Sequence, residues 1–392
     1  MRTQRVSQRP VLVGSVTGIA MAASVIPLAS YSVLAPFIID SFDISRTSMG
    51  LLSTAFMAVG AALSVVAGIL VDRYGARRLL MWLYAVSAIS VAAMVLPGTF
   101  LGLMVGAVLG GAASALGNPT TNRLIAGALP EGSRGLAIGI KQSGIQFSFF
   151  AFGGLPLVAA AWGWRSALAL AFVLPSVGIV ASLLSLDSES DPVARAPHRE
   201  IPSKTLPPGV WWIIAFSLVL GLASGSVKAY VSLFAVEGLD MSPVTAGLAA
   251  SVLAGLGVAS GIAWTSGAER FSHPSAPLAI ISVMGALAGV LLLLAPEIGI
   301  GAFWLGVVFA GMSFAAWSGV AMLAVISEVS LSDAGRTSGI VLTGFFIGHT
   351  ISPVAFGFSV DVTGGYGLGW TTVTALAVVG LAVCLAWRRT LG

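Results

Sequence analysis

The sequence predicts an all-α membrane protein with twelve transmembrane helices in two six-helix bundles. Three observations predict it. Hydrophobic residues make up 57% of the 392 and charged residues only 9%, against about a quarter in soluble domains. The apolar residues fall in runs long enough to cross a bilayer, which takes about 20 residues. Lys and Arg gather in alternate gaps between those runs.

The composition excludes a soluble enzyme, because 19 basic and 15 acidic side chains cannot cover a water-facing surface of this size. Disorder is excluded too, since it needs low hydrophobicity and high charge. Cys384 is the sole cysteine, so no disulfide forms within the chain and no Cys-based metal site or iron–sulfur cluster is expected. No cofactor is expected. The pI near 9.6 does not imply a nucleic-acid partner, because the charges lie in the gaps between apolar runs.

The spans follow in order, marked off by charges, prolines and turn residues. The first, 11–36, follows Arg2, Arg5 and Arg9 and ends before Asp40. A cleaved signal peptide has an apolar region of about 7–15 residues, so this longer run is read as a retained span. The next five are 47–71, 79–97, 99–121, 135–158 and 166–186. Arg46, the pair Arg77 and Arg78, Arg123, Arg134 and Arg165 stand at their edges. Residues 187–209 then carry acids, bases and prolines together, the composition of a solvated linker. The second set is 210–234, 244–264, 276–295, 299–326, 337–360 and 370–387, edged by Glu237, Arg270, Glu297, Glu328, Asp361 and Arg388. The predicted domains are therefore 1–186, the linker 187–209, and 210–392. Barrel strands alternate polar and apolar residues, and these runs are uniformly apolar.

Fifteen of the 19 Lys and Arg fall on one side if the N-terminus is cytoplasmic, and Arg46 and Arg165 alone fall on the other. Lys141 and Lys228 lie within spans. The positive-inside rule then sets both termini in the cytoplasm, in a multi-pass protein of the plasma (inner) membrane.

The two halves resemble each other. Arg134-Gly-Leu-Ala-Ile-Gly139 parallels Arg336-Thr-Ser-Gly-Ile-Val341, and Ala151-Phe-Gly153 parallels Ala355-Phe-Gly357. The fifth and eleventh spans therefore correspond, as in transporters built from repeated bundles. Glycines four apart recur at Gly106/Gly110, Gly135/Gly139, Gly221/Gly225, Gly257/Gly261 and Gly344/Gly348. Such pairs let helix backbones approach closely in lipid.

The loop after the second span reads Gly68-Ile-Leu-Val-Asp72-Arg73-Tyr-Gly75-Ala-Arg77-Arg78. It resembles the signature between the second and third helices of the major facilitator superfamily. With twelve spans, a central linker and the repeat, the resemblance covers the whole chain. It implies the major facilitator fold and a gating role for Gly68, Asp72, Arg73, Gly75, Arg77 and Arg78. Arg134 and Arg336, which open the paired fifth and eleventh spans, join them as gating candidates, and Asn122 and Arg123 at the inner end of the fourth span are read as gate residues. The second half holds a decayed copy, Gly261-Ile-Ala-Trp-Thr265, without the Asp. Two departures separate the chain from proton-coupled drug exporters of the family. Gly106 stands where they often carry an Arg, and the run Gly144-Ile-Gln-Phe-Ser148 lacks their Gly-Pro pair.

Charge inside a bilayer marks a functional position by default. All fifteen acids fall in loops or at span ends, which argues against a buried proton carrier and against cationic substrates. Lys141 lies about 10 Å into the fifth span and His349 about 20 Å into the eleventh, at about 1.5 Å per residue. Lys228 sits in the outer third of the seventh, within reach of Glu237. Gln142, Gln146 and Ser148 extend a polar stripe from Lys141. The substrate-binding candidates are Lys141, His349, Lys228, Gln142, Gln146, Asn118, Tyr31 and Trp317.

The expected function is secondary transport of a small solute, an organic anion such as a carboxylate, by rocker-switch alternating access. No nucleotide-binding loop of the G-x-x-x-x-G-K-[ST] type is present. His349 offers a route for proton coupling. The alternative is export of hydrophobic compounds or drugs, which the aromatic and methionine content favours. A membrane-embedded enzyme would need a cluster of acids, histidines or a metal site, so no enzyme is expected. The bundle is expected to act as a monomer in the lipid bilayer.

Overall fold

The structure is a computed structural model that describes residues 2–130, 134–185, 206–268, 270–328 and 331–390. Among the described residues every regular element is helical and none is a strand. Of the linker expected at 187–209, positions 187–205 lie outside the described residues.

The first span is broken into α1 (Arg2–Ser24), α2 (Ile26–Val33) and α3 (Ala35–Phe42). The bend between the first two is 53°. Pro27 and Pro36 stand at the second positions of α2 and α3. Each lacks the N–H that would continue the preceding helix, so the chain turns there. Next come α4 (Arg46–Tyr74), α5 (Ala76–Val95) and α6 (Phe100–Ala128). Gly75, at φ 82°, makes the turn between α4 and α5, a conformation that costs glycine nothing. The Thr99 hydroxyl caps α6 by accepting the Gly102 N–H at 3.1 Å. The half closes with α7 (Arg134–Phe152), α8 (Leu155–Trp162), α9 (Trp164–Ala169) and α10 (Val173–Ser185).

The second half runs through α11 (Pro208–Glu237), α12 (Pro243–Ala268), α13 (Ser275–Ile298), α14 (Ile300–Ser313), α15 (Trp317–Glu328), α16 (Leu331–Thr363) and α17 (Gly367–Arg389). Among the described residues, ten helical stretches are long and apolar enough to cross a bilayer, and the bent pair supplies an eleventh. The shorter apolar stretch Trp164–Val180 stands where the sequence puts the sixth span. Twelve crossings, six in each half, account for the fold.

The chain forms two compact units. One is Met1–Ile38 with Ala55–Ala196, the other Ile39–Thr54 with Pro197–Gly392. The pairing of helices repeats within them. In the first, α1 packs on α7, and α5 packs on α6 and α10; in the second, α11 packs on α16, and α13 packs on α14 and α17. The correspondence reaches single contacts. Gly144 of α7 lies against the Gly18 carbonyl of α1, and Gly348 of α16 lies against the Leu218 carbonyl of α11. At the next contact the small residue changes sides: Gly14 faces Ile140, whereas Ile214 faces Gly344. Not every glycine pair serves a seam, since Gly139 and Gly261 face open space.

Lipid cannot satisfy polar groups, and many hydroxyls inside the spans donate to a backbone carbonyl, in one of two ways. Ser30 donates to its own helix at the Ile26 carbonyl, 2.7 Å away. Ser87 donates across to the Ala23 carbonyl at 2.8 Å, and Ser313 to the Ile281 carbonyl at 2.7 Å. Large apolar side chains point outward, with Val65 71% exposed and Leu101, Trp162, Ile262 and Phe358 also exposed. Faces of this kind are a liability in water and the expected exterior in a bilayer.

Candidate functional site

Lys141 is only 2% exposed. Its Nζ donates to Asn118 Oδ1 at 3.0 Å and to Asn122 Oδ1 at 2.6 Å. Both acceptors lie on α6, four residues apart and so on one face. The rotation of α7 that aims Lys141 at them is set by the seam with α1. Gly18 leaves room for the backbone of Ile140 and Lys141, and one turn beyond, Gly144 meets the Gly18 carbonyl. Two turns along α7, Ser148 Oγ donates to the Ala22 carbonyl at 2.8 Å. Ser148 thus shares the inward face with Lys141, while Gln142 is exposed and Gln146 half-buried. Tyr31, on α2, is fully buried in the same unit.

Asn122 is the residue whose part in this group the sequence did not signal. Its spacing from Asn118 was readable, but the helix that would meet them was not. Its neighbour Arg123 donates from Nη1 to Asp72 Oδ1 at 2.6 Å. Asp72 is 78% exposed, and an exposed ion pair is worth about 0.2–1 kcal/mol, too little to explain the motif as a stabilising device. Around it, the Arg73 guanidinium lies 5.3 Å from the Tyr74 ring centroid. Arg77 is half-buried and Arg78 exposed. Gly68 has open space around it, so no neighbour within reach demands glycine there. Arg134 ties the start of α7 to the end of α6, donating to the Leu129 carbonyl at 2.9 Å and the Ala126 carbonyl at 3.0 Å. Arg336 stands in the second turn of α16, and its side chain lies outside the described residues.

In the second unit, His349 is 4% exposed and its Nδ1 lies 3.3 Å from Ser224 Oγ on α11. The imidazole also hydrogen-bonds the Gly221 backbone. Its ring centroid is 4.6 Å from that of Phe345, which in turn lies 5.1 Å from that of Trp317. Lys228 is half-buried one turn along α11 from Ser224, within electrostatic reach of His349. The structure therefore gathers Lys228, His349 and Trp317 around one seam, α11 with α16, and Lys141 with Asn118 around α6 and α7. Both groups lie within the spans, where Lys141 bonds two amides and His349 a serine hydroxyl.

Glu237, within reach of Lys228 by sequence, is held by other residues. Arg46 clasps it with Nε and Nη2, each at 3.1 Å, and the Tyr366 hydroxyl donates to it at 2.6 Å. Burial and the Glu237 charge push the Tyr366 phenol above its ordinary range, which keeps it a donor. The Tyr230 hydroxyl donates to the Arg46 carbonyl at 2.7 Å. Arg46, Glu237 and Tyr366 border a cavity of about 460 Å³ that Phe234, Trp370 and Asp361 also line. Among the described residues no group of three or more His, Cys, Asp or Glu could hold a metal ion.

Comparison with known proteins places the chain. It is 25% identical to a probable sulfoacetate transporter of Cupriavidus necator, over 97% of this chain and 94% of that protein. It is 24% identical to a nitrite extrusion protein of Bacillus subtilis, over 88% of this chain and 87% of that one. Its fold matches the crystal structure of a bacterial homologue of the human lysosomal transporter Spinster, in an inward-facing and occupied conformation. That match has a TM-score of 0.76 and 18% identity and covers 98% of this chain and 97% of the other. Residues 12–353 match the profile of the Major Facilitator Superfamily, and the chain belongs to that family of multi-pass membrane transporters.

Proposed function

We propose that the protein is a secondary transporter of a small organic anion, with Lys141 as the principal cationic ligand. One observation carries the reading: a buried lysine inside a span whose hydrogen-bond partners are two neutral amides. Isolated charge is costly in this setting, and a carboxylate partner is the ordinary remedy. Amides solvate the ammonium but leave its charge in place for an anion. The names of the relatives, transporters of sulfoacetate and nitrite, support an anionic substrate.

Lys228, within electrostatic reach of His349, supplies a second cationic group in the other half. Alternating access proceeds by rocking one half against the other, which the repeated helix pairing supports. The distribution of Lys and Arg supports both termini on the cytoplasmic side of the plasma membrane.

The test is uptake into proteoliposomes of labelled sulfoacetate, glucuronate and nitrite, against a neutral lipophilic drug. Uptake of at least one anion, lost in Lys141→Ala, is the expected result. Transport of the drug alone, unaffected by Lys141→Ala, overturns the proposal in favour of hydrophobic export.

A further inference from the structure

We infer that Asn118 and Asn122 are positioning residues that hold Lys141 as a net cation and, with it, form a site for an oxyanion of two or more oxygens. This inference rests on the role proposed for Lys141 and adds the chemistry of its surroundings.

A lysine ammonium has three N–H donors and no acceptor. Two are directed at Asn118 Oδ1 and Asn122 Oδ1, and one remains for a ligand. Because an ammonium cannot accept a hydrogen bond, the chemistry fixes which end of each amide faces it. Each Nδ2 is therefore turned away from Lys141. Neither Nδ2 donates a hydrogen bond among the described residues. The group thus offers one ammonium N–H from α7 and two amide NH₂ groups from one face of α6.

Exposure grades across the group. Asn122 is exposed, Asn118 half-buried and Lys141 buried. An incoming anion meets the amides first and the charge last. One oxygen takes the ammonium N–H and another takes an amide, the pattern that suits a carboxylate or sulfonate. The i, i+4 spacing on α6 holds both amides on the face that meets α7, and the glycine seam of α1 with α7 fixes the lysine opposite them. A carboxylate at either position would close an internal ion pair and leave no net charge to attract substrate.

The experiment compares Asn122→Asp, Asn122→Ala, Asn118→Asp and Lys141→Ala in proteoliposomes. The probe is whichever of sulfoacetate, glucuronate and nitrite gives the largest wild-type uptake, and thermal unfolding is measured in parallel. Asn122→Asp keeps the shape and adds only charge. It is expected to raise KM at least tenfold with a small change in kcat, while the unfolding temperature stays level or rises because an ion pair forms. Asn122→Ala is expected to raise KM only two- to fivefold. A wild-type KM in Asn122→Asp, with uptake lost in Lys141→Ala, overturns this inference and leaves the role of Lys141 standing. Equal losses in Asn122→Asp and Asn122→Ala, both with lowered unfolding temperature, also overturn it, since that is packing. Wild-type uptake in Lys141→Ala defeats the underlying proposal itself.

Discussion

The Asp361 carboxylate holds Thr47 twice, accepting its backbone N–H at 2.8 Å and its hydroxyl at 2.5 Å. It also accepts the Arg46 N–H at 3.0 Å. Arg46 and Thr47 begin α4, so an acid near the end of α16 caps a helix to which it does not belong. The cap supplements a local one, in which Ser45 Oγ accepts the Ser48 N–H at 3.1 Å. Helix N-termini carry unsatisfied donors and a positive dipole end, and α4 has no acid in its own first turn.

Asp361→Asn should therefore destabilise the start of α4 by about 1 kcal/mol, the usual worth of an N-cap. A cysteine at Ser48, in a Cys384→Ala background, should label faster in Asp361→Asn than in its parent. Equal labelling rates would show that Ser45 suffices as the cap.

Asp72→Asn should separate stability from transport. The pair with Arg123 is exposed at Asp72, so its loss should change unfolding by less than about 1 kcal/mol. Transport rate should fall severalfold if the pair gates. Wild-type transport in that variant, measured by initial uptake rates, would defeat the gate assignment.

Lys141→Met tests whether the lysine is there for structure. A buried charge with no ionic partner is costly to hold, so its replacement by an apolar side chain of similar length relieves that cost. The variant should unfold at or above the wild-type temperature while losing anion uptake. A strongly lowered unfolding temperature would mean that the bonds to Asn118 and Asn122 serve the fold.

His349 distinguishes two coupling schemes. If it carries the proton, an imposed pH gradient drives accumulation in wild type, and His349→Gln keeps anion exchange while losing that drive. Accumulation indifferent to the gradient in wild type leaves His349 as a contact of α16 with Ser224 and Gly221.

The spans, the repeat and the depth of Lys141 were legible because they depend on composition and distance along one helix. What each side chain meets depends on the rotation of its helix, and a uniformly apolar span encodes rotation weakly. Position along the helix alone therefore groups Asn122 with Arg123 at the gate, whereas the structure turns Asn122 onto Lys141 and Arg123 onto Asp72. Nearness in sequence brings Glu237 within reach of Lys228 but gives no sign of Arg46 and Tyr366, which hold it from other elements. The breaks at Pro27 and Pro36 lie inside a run that reads as one apolar span, because hydropathy is blind to a missing N–H. The seam glycines carried a better signal, since Gly221, Gly225, Gly344 and Gly348 all lie where α11 meets α16.

At the matched contact of the two seams, Gly14 accommodates Ile140 while Gly344 accommodates Ile214. The contact needs one small partner and is indifferent to which helix supplies it. The two halves have settled that choice in opposite ways, so their helices are no longer interchangeable parts. A chimaera pairing α1 with α16 would set glycine against glycine and open a void. Its reciprocal, α11 with α7, would drive isoleucine into isoleucine. Each seam thus works as a lock and key, accepting only the partner whose side chains complement it.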